Sequence, residues 1–373
     1  MNIQQSVHWR VTAKRGFLTP QDPHHIWSKM IPHLTPLYTH LPSDCDKTLV
    51  LALIIPDLLK KIKQLPDFSH ITQTQDIGAL EMWFTLYGYL ASALVGNGAT
   101  AIPLEISEPL TTLSEHLQRP PMLSYTGMVL NNWRLIDPQA GYTPENIALL
   151  IQFTDLIDES WFLRVHVAIE GQAGTMLQAL VDVEQALEAD DTQAILTHLR
   201  TMQRGLVQIT RTFHMMPELC DPDVYFQQVR PYFMSFGKAI TFEGITPNPT
   251  PLRGGSGAQS SFVPAMLASL GLDHADSELT ENLDDMRRYM PQAHRDFVSA
   301  RRRSRLRSYC ETQAPLRDAY NHVLRRLITF RRAHLYYART YIFEKSTNPI
   351  GTGGTAYMSF LSQLIDETEQ QFL

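Results

Sequence analysis

Residues 315–343 read PLRDAYNHVLRRLITFRRAHLYYARTYIF. Apolar residues recur along this stretch at helical spacing, and a proline opens it, where a missing backbone N–H is harmless. The pattern predicts one helix of about 30 residues. At 100° per residue, Tyr320, Leu327, Ala338 and Tyr341 all fall within about 40° of His334. His334 therefore sits on the apolar stripe, where a neutral imidazole needs a partner. Haem iron is one such partner, since a proximal histidine is a standard axial ligand. A buried, hydrogen-bonded histidine is the other reading of the same pattern. His322, on the same predicted helix, lies about 120° away beside Arg325 and Arg326, on the solvated side.

Helical signals dominate outward from this stretch. Gly78 to Leu94 reads as a helix ending at the Gly96-Asn97-Gly98 turn, and Thr111 to Gln118 as another. Asp46 to Leu65 reads as a helix interrupted near Pro56. Thr143-Pro144-Glu145 has the cap, proline and carboxylate of a helix start, with helical spacing onward to Leu187 and a break near Gly171 and Gly174. Asp191 to Met215 follows, and Asp221-Pro222-Asp223 opens a further element. Phe236 to Ser261 is a long glycine- and proline-rich loop, of the kind that in compact domains usually serves function. Helices resume from Phe262 and from Leu279, and a last amphipathic one follows the loop Gly351 to Thr355. No alternating strand pattern is visible. The expected fold is all-α: a smaller, mostly helical N-terminal domain over residues 1–110 and a large helical domain over 111–373, with Pro120-Pro121 in the boundary zone.

Composition narrows the function classes. The chain has 373 residues, 44% hydrophobic and 19% charged, with a formal net charge of -6. That is an ordinary globular balance and argues against nucleic acid as a partner. Arg301, Arg302, Arg303, Arg305 and Arg307 form a basic run, read as a solvated turn or helix face or as a patch for an acidic partner. Cys45, Cys220 and Cys310 are far apart and odd in number, which argues against a disulfide framework and fits a reducing cytoplasm. The first 17 residues lack the apolar core of a signal peptide, and the longest apolar run, Leu49 to Ile55, is far too short to span a bilayer, so no membrane partner is expected. Fourteen histidines occur, but in no HExxH or HxxxH arrangement, and the adjacent His24-His25 do not share a helix face.

Several segments together resemble the indoleamine 2,3-dioxygenase family: Pro120-Pro121-Met122-Leu123-Ser124-Tyr125 through Asn132-Trp133, Gly254 through Ser261, Arg287-Arg288-Tyr289-Met290-Pro291-Gln292-Ala293-His294-Arg295, and Gly351 through Thr355. Their order and spacing match from about residue 110 to the end. The resemblance implies a haem b enzyme that opens the indole ring of tryptophan with O₂, in an all-helical fold. It places His334 as the iron ligand and Arg230 as the group that grips the substrate carboxylate. A guanidinium suits that task because its planar fork makes two parallel bonds. It places Tyr225, Phe226, Tyr125, Met128 and Phe162 around the indole. Val129, Gly255, Ser256 and Gly257 fall against the haem, where glycine lets the backbone approach closely. Ser256 and Thr352 are placed as polar contacts to haem or substrate. Treated as an ideal helix, Tyr225 to Arg230 spans about 140°, and Phe226 shares the side of Arg230 more closely.

The pattern departs from the family on the distal side. One register of Phe162 to Glu170 puts His166 where mammalian members carry a serine; a one-residue shift puts Val165 there. The first register also aligns Glu170. His166 would then hydrogen-bond O₂ or the substrate, as a histidine contacts the indole N–H in tryptophan 2,3-dioxygenase. Met128 stands for a cysteine of the mammalian pocket, which bears on ring specificity. The expected partners are a small indole and O₂, with a monomer or weak homo-oligomer. Three other readings stay open: a superfamily enzyme rearranging another indole without dioxygenation, a haem protein that binds O₂ or NO without turnover, and a helical scaffold with no cofactor.

Overall fold

The computed structural model describes residues 14–18, 23–37, 48–65, 76–274, 277–347, 351–353 and 357–373. Fifteen α-helices occur among them. α1 (Pro23–Met30) and α2 (Leu58–Ile62) are short; α3 (Ile77–Gly96) and α4 (Leu104–Leu117) are longer and pack on each other. Then come α5 (Ile157–Gln172), α6 (Gly174–Glu188), α7 (Thr192–Phe213), α8 (Met216–Leu219), α9 (Pro222–Val224), α10 (Phe262–Leu270), α11 (Glu278–Arg287), α12 (Gln292–Arg301), α13 (Leu306–Glu311), α14 (Ala314–Tyr341) and α15 (Tyr357–Glu369). Among the described residues no helix is long and apolar enough to cross a membrane.

The core forms where sequence period meets helix period. In α7, Ile195, Leu199, Met202, Leu206, Ile209 and Phe213 are buried, at alternating spacings of four and three. Asp191 caps the helix by accepting from the Ala194 N–H at 2.9 Å. The stripe packs against α6 and α14, the two most extensive neighbours of α7. Gly205 permits the approach of α6: a Cβ there would lie 2.8 Å from Cβ of Met176. α14 runs 28 residues, close to the predicted bounds, and buries Tyr320, Val323, Leu324, Leu327 and Tyr337 on the side that meets α7, α13 and α15. The residue anticipated as the division between two domains, 110, falls within α4.

Two expected helices are replaced by other structure. The sequence predicts an interrupted helix over Asp46 to Leu65, of which residues 46 and 47 lie outside the described residues. Leu49–Val50 instead pairs parallel with Ile151–Gln152, followed by single 3-10 turns at Leu51–Leu53 and Ile55–Asp57 before α2. The Thr48 hydroxyl donates to Leu149 O at 2.6 Å and Ala52 N to Phe153 O at 2.7 Å, holding the segment extended. Thr143-Pro144-Glu145 begins one 3-10 turn, not a helix, and the chain continues as Ile147–Ala148, antiparallel to Arg134–Leu135. Side-chain amides decide this. Asn146 Nδ2 donates to the Asp137 and Gly141 carbonyls, and Asn132 Oδ1 accepts from both Leu150 and Ile151 N–H. These amides take the place of an i→i+4 ladder. A third two-residue ladder joins Ala101–Ile102 to Thr241–Phe242.

The basic run divides. Arg301 reaches Leu180 O and lies over the Phe297 ring, and Arg307 reaches Gln371 O, while Arg302, Arg303 and Arg305 face solvent. Cys220 and Cys310 are buried free thiols; Cys45 lies outside the described residues.

Candidate functional site

α5, α7, α10, α11, α14 and α15, two π-type turns and two glycine loops border a cavity of about 340 Å³. This is within the size range of small-molecule and cofactor sites. Tyr125, Met128 and Val129 enter from the turn at Thr126–Leu130, where Asn131 N donates to Thr126 O across five residues. Phe162 and His166 project from α5 one turn apart, Gly255, Ser256 and Gly257 come from the long loop, and Thr352 from the second glycine loop. His334 lines the cavity from α14, with Phe330, Arg331, Tyr337 and Tyr341 on the same helix.

Two histidines flank one phenyl ring. Phe213 lies 6.0 Å from the His166 ring and 6.2 Å from the His334 ring, centroid to centroid. Burial pushes both imidazoles toward neutrality, His334 down to about 4, with the charges of His166 and Arg331 adding to the effect. Protein encloses the His334 ring, yet part of it stays accessible, as befits a side chain bordering a cavity. His334 makes no hydrogen bond with any described residue. His166 does: its Nδ1 lies 2.8 Å from Phe162 O. A carbonyl only accepts, so Nδ1 carries the proton and the neutral ring keeps an acceptor lone pair on Nε2. Of the two registers considered for α5, His166 borders the cavity; Val165 is buried and does not.

A neutral imidazole with no hydrogen bond to a described residue, bordering an apolar cavity of cofactor size, is the donor that haem requires, so the residues fit the group. Arg331 borders the same space. It donates to Leu364 O and Thr368 Oγ1 of α15, and its Nη2 lies 3.2 Å from Nε2 of His274, which itself holds Glu367 at 2.5 Å.

The glycine loops are tied together. A Cβ on Gly254 would sit 2.1 Å from Phe233 O and 2.6 Å from Thr352 O, both backbone atoms that cannot yield, so this crossing admits only glycine. At Gly257 a Cβ would meet nothing within 4 Å. The Thr352 hydroxyl donates to Gly255 O at 2.7 Å, so its proton is already engaged. Ser256 caps a single turn, accepting from Ala258 N, and its own O–H makes no bond to a described residue. Residues 354 and 355 of the second loop lie outside the described residues.

Arg230 and Phe226 are not among the lining residues. Arg230 is buried, sits 5.3 Å from the Phe226 ring centroid, and feels the hydroxyls of Tyr225 and Tyr357, both of which line the cavity. The segment Tyr225–Val229 is a π-type turn, with Arg230 N donating to Tyr225 O. An i→i+5 bond brings residues 225 and 230 onto one side, where an α-helix would hold them about 140° apart. The helical estimate from the sequence therefore understated Tyr225. That ring also packs on Phe162, 4.6 Å between centroids.

Sequence reasoning assigned no role to Gln259 or Glu170. Gln259 is almost fully buried; its Oε1 accepts from Tyr125 N at 2.9 Å and its Nε2 donates to Gly254 O at 3.0 Å, joining the two walls. Glu170 is fully buried, accepts from Ser260 Oγ at 2.5 Å and neighbours Tyr125; burial raises its carboxyl to about 7. Its position four residues after His166 was the available signal, since i and i+4 share a helix face.

The family model described as indoleamine 2,3-dioxygenase matches residues 5–371. Indoleamine 2,3-dioxygenase 1 of Rattus norvegicus is 30% identical over 317 residues, covering 77% of this chain and 78% of the relative. An indoleamine 2,3-dioxygenase of Aspergillus candidus is 28% identical, covering 83% and 85%. A protein named myoglobin, from Haliotis madaka, is 25% identical and covers 90% and 94%.

Proposed function

The chain belongs to the indoleamine 2,3-dioxygenase family, and from that premise we propose that it binds haem b through His334 and inserts O₂ across the indole 2,3-bond of L-tryptophan or a close relative. The observation that carries this reading is the His334 ring, pushed toward neutrality and without a hydrogen bond to any described residue, on a cavity of cofactor size. Bound ferrous haem supplies the activation of O₂. Cleavage of the C2–C3 bond with both oxygen atoms retained in an N-formylkynurenine-type product needs no further oxidant or reductant.

The chain's own residues supply binding, orientation and exclusion of water. Phe162, Tyr225 and Tyr125 form an aromatic wall that suits a flat indole, with Met128 filling the pocket floor flexibly. His166 accepts the indole N–H on Nε2. With Nδ1 held by Phe162 O and the ring neutral, it has no second proton to donate toward O₂, which favours the substrate contact over the O₂ contact. Arg230, which interacts with the cavity-lining Tyr225 and Tyr357, binds the substrate carboxylate, and Ser256 offers its hydroxyl to the ammonium or to a haem carboxylate.

The test is aerobic turnover by haem-loaded protein with the iron kept ferrous. Tryptophan and O₂ consumed one for one, with formylkynurenine absorbance appearing, supports the proposal. The match to a protein named myoglobin favours a second reading, reversible O₂ binding without turnover. A long-lived oxygenated spectrum unchanged by tryptophan or other indoles would establish that reading instead.

A further inference from the structure

The segment from Arg287 to Arg295 faces two ways. Arg287 borders the large cavity, whereas Arg288 and Arg295 border a second recess of about 310 Å³, completed by Ser114, Gln118, Arg119 and Pro120. Three guanidiniums converge on this recess and no carboxylate lines it.

Their existing partners leave positive charge in excess. Arg119 is 4% exposed and pairs with the buried Glu81 through Nη2 at 2.5 Å; its Nε and Nη1 have no hydrogen-bond partner among the described residues. Arg295 makes no ion pair among the described residues. Its Nη1 reaches the Arg288 carbonyl and its Nη2 the Gln118 carbonyl and the Gln292 side chain, which leaves the second Nη1 proton and Nε without a hydrogen-bond partner among the described residues. Arg288 pairs with Asp285 at 3.0 Å, but that carboxylate also holds Arg253 at 2.8 Å. Burial first, and then the charges of Arg119 and Arg288, work against the charged form of Arg295, while only the exposed Asp296 supports it. Like charges gathered without a shared counter-ion raise the free energy of the fold unless an anion joins them.

We propose that this recess binds a small phosphate or phosphomonoester dianion. Arg288 and Arg295 would supply the direct charge-assisted bonds, and the enclosed Arg119 a fixed positive field. A guanidinium fork matches phosphate oxygens, and two charges on the ligand answer a cluster of three better than one carboxylate does. The recess is larger than a bare phosphate and leaves room for the organic part of an ester. Pro120 starts the segment that delivers Tyr125, Met128 and Val129 to the large cavity, so an anion held here also anchors that wall.

The experiment is calorimetric titration of the haem-loaded protein with inorganic phosphate and, separately, with glycerol 2-phosphate, at pH 7.5 and chloride-fixed ionic strength. The expected result is saturable 1:1 binding, weakened roughly tenfold in Arg295→Gln and by a smaller factor in Arg288→Gln. Tighter binding of the ester points to an organic phosphate as the natural occupant; equal binding points to free phosphate. Arg288 is exposed and its loss leaves Asp285 paired with Arg253, so Arg288→Gln alone carries the test if Arg295→Gln does not fold. No saturable binding, equal affinity in every folded variant, or equal response to acetate overturns the proposal.

Discussion

His166 and His334 border one cavity and flank one phenyl ring, yet the protein holds them in opposite ways. His166 is fixed by its own helix: Nδ1 is spent on Phe162 O, and the ring packs against Phe162 at 4.5 Å. His334 has aromatic neighbours but no hydrogen bond to a described residue. Its ring borders the cavity with part of it accessible, so a ligand in that space can reach it. The difference lies in what holds each ring: both are pushed toward neutrality and each then has one acceptor nitrogen, but His166 is oriented through Nδ1 by its own helix, while neither ring nitrogen of His334 has a hydrogen bond to a described residue.

Exchanging the two roles by mutation should break the molecule in different places. His334→Ala should lower haem affinity by more than the roughly 100-fold typical of losing a ligand's supporting partner, measured by haem transfer to an acceptor protein. His166→Leu should keep its haem. If both variants lose haem alike, the contrast is wrong.

His166→Leu should instead lower kcat/KM for tryptophan roughly 10- to 100-fold, the effect of leaving a buried donor unpaired at ~1–3 kcal/mol. A tryptophan methylated on the indole nitrogen has no N–H to present, so the same substitution should barely change its kcat/KM. An equal loss on both substrates would place His166 elsewhere in the mechanism.

A third test bears on the carboxyl one helical turn after His166. Glu170 is raised to about 7 by burial, against an ordinary value of 4.5. A carboxyl with a raised folded pKa favours the fold below its unfolded value, and that contribution is lost as pH rises through the folded value. Relative to Glu170→Gln, the wild type should therefore lose roughly 3 kcal/mol of unfolding free energy between pH 4.5 and 7.5. Urea titrations of both proteins across that window measure it. Parallel curves would show that Glu170 stays ionised, with Tyr125 and Ser260 stabilising its charge.

What the sequence made legible follows the range of the forces involved. Period and local caps revealed α7 and α14 and set His334 on the inward stripe, because a helix face is decided within a few turns. The stretch from 143 to 156 misled because Asn132 and Asn146, acting across the chain, override a local helix-start signature. The pairing of Tyr225 with Arg230 was misjudged because a π-type turn replaces the α-helical spacing the estimate used. Glu170 and Gln259 were silent because their partners, Ser260 at 90 residues' separation and Tyr125 at 134, leave no periodic trace.

One experiment bears on the iron ligand itself: His334→Gly, titrated with haem in the presence and absence of millimolar imidazole, followed by the Soret band. The account predicts weak haem binding alone and recovery of a wild-type-like ferrous spectrum once imidazole enters the space left by the side chain. Tight haem binding by His334→Gly without imidazole, with an unaltered ferrous spectrum, would contradict it.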